Sequence, residues 1–281
     1  HNTAVGVKSL KAVTTGESNA AIGSFSGYAI TTGCSNVAVG RSALQSTTSG
    51  GYNVAVGKSS LLNSTTAIYN VAVGANALYT NTEGNHNTAV GYAALYDNTT
   101  GNSNTAVGRQ ALENNTTGCY NTASGYFALG SSTTGTNNVG VGYKSLLGNT
   151  TGGNNVAVGT SAMCANTCGC DNATVGQDSL YANTTGCRNV SLGRAALRYN
   201  TSGKWNSAIG FSSLFENTTG CKNTASGAYA LNKNTTATEN TAYGYAALYK
   251  NTTAPRNTSI GGCSLFNNTT GTDLVGVGYK A

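Results

Sequence analysis

Small apolar clusters recur along this chain at a fixed interval, separated by polar stretches. Ala4-Val5 precedes Gly6, Leu10 follows soon after, and a Thr-Thr-Gly stretch closes the unit. Aligned on the asparagine of Asn2-Thr3-Ala4-Val5-Gly6, copies restart at Asn19, Asn36, Asn53, Asn70, Asn87, Asn104 and Asn121. They continue at Asn138, Asn155, Asn172, Asn189, Asn206, Asn223, Asn240 and Asn257, with a partial copy from Leu274. Every step is 17 residues, without insertion or deletion. The consensus is N-T/V-A-V-G-x-x-A/S-L-x-x-N-T-T-G-x-x, whose positions are numbered one to seventeen. A fixed period of this kind marks a stacked repeat architecture.

The period is too short for a helix-turn-helix unit, and frequent Gly, Asn and Thr oppose helix. T/V-A-V before glycine favours a short strand. Ala-Leu before Asn-Thr-Thr-Gly suggests a second strand and a turn. The expected fold is all-β: a parallel β-solenoid with one 17-residue repeat per rung. Residues 1–281 read as a single array of about 16.5 copies, a fragment of a longer chain with both natural ends missing.

Each column then implies a physical demand. Glycine at position five, and glycine or alanine at fifteen, suit tight corners where positive φ is needed. Val or Ile at four and Leu at nine are expected to fill the interior. Asn at one and twelve is expected to form amide ladders that also satisfy backbone groups, and Thr at thirteen to stack similarly. Side chains alternate across a strand. With four inward, the always-small position three faces outward, against something that admits only small groups. A second copy of the chain meets that description, and so does a thin rung with a crowded interior.

In the Asn-Val-Ala-Val-Gly of residues 36–40, 53–57, 70–74 and 155–159 the chain resembles the head repeats of trimeric autotransporter adhesins. The longer unit from Asn87 to Gly101 resembles the repeats of tail-fibre-domain proteins of phages and bacteria. The resemblance covers the whole chain. It implies a left-handed β-roll, a homotrimer, and a place outside the cell: extracellular, on a cell surface or on a virion. The adhesin-head repeat is shorter than 17 residues, so the rung shape differs.

Composition narrows the chemistry. Charged residues make up 9% of the chain and the net charge is +6, but the basic residues are scattered. No concentrated basic patch points to nucleic acid. No apolar run is long enough for a membrane-spanning helix. The two histidines, His1 and His86, and the nine acidic residues fall at variable positions. They form no metal cluster, acid-base pair or nucleophile triad, so neither an enzyme nor a cofactor is expected. Asn-x-Ser/Thr sequons follow from the repeat itself.

Two sets of residues stand out. Cys34, Cys119, Cys170, Cys187 and Cys221 share position sixteen, and only Cys170 and Cys187 lie in adjacent rungs. In-register stacking would put their Cα atoms about 4.8 Å apart, so Cys170–Cys187 is the expected bridge. Cys164–Cys168 is a second, weaker candidate. Tyrosines recur at positions six (Tyr92, Tyr126, Tyr143, Tyr245) and ten (Tyr79, Tyr96, Tyr181, Tyr249). They are expected to face outward as surface contacts for a glycan or protein receptor, although tyrosine equally suits any exposed β position. The expected function is a stiff fibre segment that attaches to surfaces, with a self-assembling filament and ice binding as alternatives. The expected partner is the chain itself, as a trimer or filament.

Overall fold

The structure is a computed structural model and describes all 281 residues. It contains seventeen three-residue strands, one at positions two to four of each repeat, and no helix. The chain divides into two compact units, residues 1–138 and 139–281. In the first, strands β1 (Thr3–Val5) to β8 (Thr122–Ser124) pair in parallel, each residue opposite its equivalent one repeat on. In the second, β9 (Val139–Val141) to β17 (Val275–Val277) pair in the same register. Each unit is a parallel β-solenoid with one repeat per rung.

The expected second strand is absent. The Ala-Leu segment instead passes through two left-handed residues, at positions seven and nine, and a third stands at seventeen. The position-nine leucines have φ of 45 to 53°. A non-glycine residue in this region costs about 1–2 kcal/mol. The conformation persists because it aims backbone groups at the neighbouring rungs. Ser42 N–H donates to the Ser24 carbonyl at 2.9 Å, Leu44 to Ser60 at 3.0 Å, and Tyr52 to Cys34 at 2.9 Å. An extended segment would leave these groups without partners.

The two glycine columns do different work. At position five, φ is between 124 and 140° throughout, and a Cβ on Gly108 would lie 2.6 Å from the Gly125 carbonyl oxygen. Position fifteen has no positive φ, contrary to the sequence expectation. At Gly118 a Cβ would collide with the Gly135 carbonyl and crowd the Asn121 amide at 3.2 Å, whereas Ala67, Ala237 and Ala254 bury a methyl at the same position.

The interior also differs from expectation. Position three points inward and position four outward: Ala89 is 0% exposed, whereas Val90 is 37% and Ile22 is 48% exposed. The core of each rung is formed by positions three, eight and nine. It is about one methyl group thick beneath the strand. At Gly276, even a Cβ would lie 2.7 Å from Leu265 Cγ and 2.8 Å from Ser264 Oγ. Smallness at three and eight is therefore demanded by a thin, crowded rung, and gives no ground for an interface there. Rung-internal compensation supports this reading. Gly27 replaces the usual leucine at position nine, and Ile30, fully buried in the same rung at position twelve, approaches the space left.

Ala89→Leu should therefore overpack the rung and cost about 1–3 kcal/mol. The resulting drop in melting temperature should be the same at low and high protein concentration. A drop that grows on dilution would return position three to an interface.

Candidate functional site

The interior polar groups are arranged in files. At position one, each asparagine Oδ1 accepts the backbone N–H of the next asparagine, and each Nδ2 reaches a carbonyl at position fifteen. Asn104 donates to the Gly118 carbonyl at 2.8 Å and its Oδ1 accepts Asn121 N–H at 3.0 Å. A second file runs at position twelve, where Asn98 donates to Asn81 Oδ1 at 2.7 Å and to the Gly101 carbonyl at 3.0 Å. The same pattern runs from Asn166 to Asn251 in the second unit. These are the ladders expected from sequence. Thr47, Ser64 and Ser132 replace asparagine at position twelve, and their buried hydroxyls have no partner. Asn115 Oδ1, which faces the Ser132 level, is also unsatisfied.

Threonine at thirteen has a more specific task than stacking. The Thr99 carbonyl accepts the backbone N–H groups of Thr82, Glu83 and Gly84 at 3.0, 3.2 and 3.3 Å, and Thr82 Oγ1 at 3.1 Å. Four donors from one rung converge on one oxygen of the next. The hydroxyl is the fourth, which accounts for threonine in every copy.

Position sixteen explains most of the cysteines. Asn102 there accepts Asn85 N–H at 2.7 Å and donates to the Thr100 carbonyl at 2.9 Å. A thiol performs both tasks: Cys119 Sγ accepts Asn102 N–H at 3.3 Å and donates to Thr117 at 3.4 Å. Cys221 does the same with Lys204 and Thr219. Cys170 and Cys187 are thiols whose sulfurs lie 3.0 Å apart. Their hydrogen bond, reinforced by burial, pushes the Cys170 thiol up to about 12. Burial also raises the half-buried Cys164 thiol, while Cys168 is exposed. Neither has a sulfur partner.

The tyrosines fall into three arrangements. Tyr79 and Tyr96 stack at 4.9 Å and are half-buried. Tyr92 and Tyr126 bracket Arg109, whose guanidinium lies 5.7 and 5.5 Å from their rings. Tyr143 lies beside Lys144, and Tyr181 beneath Arg198. Tyr245 and Tyr249 join a cluster with Tyr229 and Phe266. Tyr92, Tyr143 and Tyr245 are exposed and the others half-buried, so the outward expectation holds fully for only part of the set.

Sequence reasoning missed the file at position seventeen. In the first unit Tyr52, Tyr69 and His86 stack at 5.0 and 5.2 Å. In the second, neighbours one rung apart are complementary: Asp171 with Arg188, Lys222 with Glu239, and Arg256 with Asp273. Arg188 lies 4.4 Å from the Trp205 ring. The signal was available as opposite charges 17 residues apart.

No three His, Cys, Asp or Glu side chains gather closely enough to hold a metal, and no helix is long and apolar enough to cross a membrane. No family model, curated protein or solved structure matches this chain.

Ser132→Asn should extend the amide ladder to Asn115 and stabilise the first unit by about 1 kcal/mol. Slower hydrogen exchange in that rung is the readout, and unchanged exchange would count against the ladder. Because its pKa is raised, Cys170 stays protonated at neutral pH. Its alkylation by iodoacetamide should lag behind that of exposed Cys168 at pH 8 and accelerate towards pH 12. Site-resolved mass spectrometry of the reduced protein reads both rates.

Proposed function

We propose that this chain is a non-catalytic structural segment of an extracellular fibre, of the adhesin-head or tail-fibre kind, coiled left-handed and assembled as a homotrimer. The observation that carries this reading is the outward face of the strands. Positions two and four hold no charged residue in any copy. Position four is a file of β-branched side chains, partly exposed from Ile22 through Val107 and again from Val141 to Ile260, broken by residues such as Ser124 and Tyr243. A contiguous exposed apolar patch of this kind marks an interaction surface. A facing surface must repeat at the rung spacing to meet it file for file, and a second copy of the chain does so. This replaces positions three and eight as the contact between copies. Repetition along the fibre also raises the effective concentration of any surface group it displays. The adjacent Cys170 and Cys187 suit an oxidising setting, where closing their gap to about 2.05 Å gives a bridge across two rungs.

The same face supports a second reading. Thr at two beside Val at four, on a regular parallel sheet, presents a periodic, uncharged surface of the kind that orders water, which favours ice binding.

Sedimentation equilibrium separates the two. A trimer is expected, and Val90→Lys with Val107→Lys should weaken association at least about tenfold, or 1.4 kcal/mol, while leaving the fold intact. A monomer at all concentrations would overturn the fibre assembly. Thermal hysteresis from that monomer would establish the ice-binding alternative.

A further inference from the structure

Several aromatic files in this chain use their ring faces on one another. Tyr52, Tyr69 and His86 lie within 16° of parallel, as do Tyr79 and Tyr96. One cluster in the second unit is different. Tyr229 meets Phe211 at 79°, Tyr245 at 85° and Tyr249 at 64°. Tyr249 stacks on Phe266 at 5.0 Å, so the rings of the cluster whose faces have no parallel partner are those of Tyr229 and Tyr245. Tyr245 is 60% exposed.

The open faces border a shallow cleft of about 390 Å³ lined by Tyr229, Tyr245, Ala246, Tyr249 and Phe266. Its residues come from two adjacent rungs and from the Phe266 position above them. Buried Ala246 supplies the small side chain at position seven, where Phe25, Phe127 and Tyr229 stand in other rungs. A larger cavity at Leu265 and Leu274 is lined by Asn267, Asn268 and Lys280 and has only one aromatic ring, that of Phe266.

The charges around the cleft are unequal. Glu216 pairs with Lys233, Glu239 with Lys222, and Asp273 with Arg256, so every carboxylate from Asn206 onward is engaged. Lys250 has none. Its ammonium lies 5.6 Å from the Phe266 ring centre, at the rim of the cleft. A cation would meet repulsion there. It would also find no room between rings whose centres are only 5.9 and 6.5 Å apart and which touch edge to face.

We propose that this cleft is a carbohydrate site that takes an acidic pyranoside. The apolar C–H face of the sugar lies on the open tyrosine rings, phenol hydroxyls meet its hydroxyls, and Lys250 holds its carboxylate. Pockets that are mainly aromatic with a few placed polar groups bind ligands in this way. The inference adds a ligand to the proposed fibre and does not depend on its assembly.

The test is calorimetric titration of the full chain with trigalacturonate, the neutral galactose trimer and tetramethylammonium chloride. Sedimentation of the same sample reports the assembly state separately, so failure of the site and failure of the fibre reading are distinguishable. Trigalacturonate should bind best. Tyr245→Ala and Tyr249→Ala should each weaken it about tenfold. Lys250→Ala should weaken it about fivefold and leave the neutral trimer unchanged. Ala246→Phe, an aromatic that position seven carries elsewhere, should fill the cleft and abolish binding in a protein with unchanged circular dichroism. Tyr52→Ala should have no effect. Three results would overturn the proposal: no binding of either sugar, binding of tetramethylammonium alone, or sugar affinity that survives Ala246→Phe. Equal affinity for the two sugars, insensitive to Lys250→Ala, would overturn the carboxylate contact.

Discussion

Hydrogen bonding between neighbouring rungs is the constraint from which the rest follows. Within each unit the strand residues, the left-handed residues at seven, nine and seventeen, and the Thr-Thr-Gly corner all direct backbone groups to the rung before or after. A buried N–H or C=O without a partner costs about 1–3 kcal/mol. A rung one residue longer would displace many such groups at once. That cost explains the unvarying 17-residue period more directly than packing on every side does. It also explains how the chain sustains 48 non-glycine residues at positive φ. Each pays a local penalty, and most gain an inter-rung bond that no extended conformation at that point could make.

The same constraint sets the thickness of the core. Because the corners must bring the strand and the leucine segment close together, only small side chains fit at positions three and eight, none larger than the threonine at Thr174. Where serine occupies position three, its hydroxyl bonds locally: Ser191 Oγ lies 2.5 Å from Ser179 Oγ and also reaches the Ala196 carbonyl at 2.9 Å. The apolar core is thus mostly alanine and leucine, and burial supplies less stabilisation than in a wide sandwich. Much of the order comes from amide and carbonyl files. Asparagine is suited to them because one side chain both accepts from the neighbouring rung and donates to a corner carbonyl. A serine hydroxyl is too short for both, as the unsatisfied Ser64 and Ser132 illustrate.

This division explains which features were legible in the sequence. The period, the parallel pairing and the asparagine ladders follow from spacing and residue chemistry alone. The direction of the three-residue strand did not, because Thr-Ala-Val satisfies alternation with either phase. The deciding signal was uniformity: position three admits only Ala, Gly, Ser or Thr, while position four admits Val, Ser, Leu and Tyr. Interior positions are the uniform ones. The missing second strand was illegible for a different reason. Leucine disfavours left-handed φ, so no propensity argument places it there, and only the inter-rung bonds reverse the preference. Of the cysteines at sixteen, the spacing singles out only Cys170 and Cys187 as a bridge and gives no role to the rest. The Asn85 and Asn102 pattern shows that a thiol and an amide are equivalent at this corner, each donating back two residues and accepting from the rung before.

Variation is consequently greatest at positions six, seven, ten, eleven, sixteen and seventeen, most of whose side chains leave the rung. There, meaning lies in the file and not in the single residue. A tyrosine above a tyrosine stacks and buries its face; a tyrosine above an alanine leaves a cleft; an arginine above an aspartate neutralises it. Such surface ion pairs contribute little to stability, commonly under about 1 kcal/mol. What they do is decide which charges remain uncompensated, as Lys250 does. A repeat scaffold of this kind stabilises each rung through its immediate neighbours. Surface files can therefore change in one stretch without disturbing the hydrogen-bonded frame of another, and recognition can be local even though the frame is uniform.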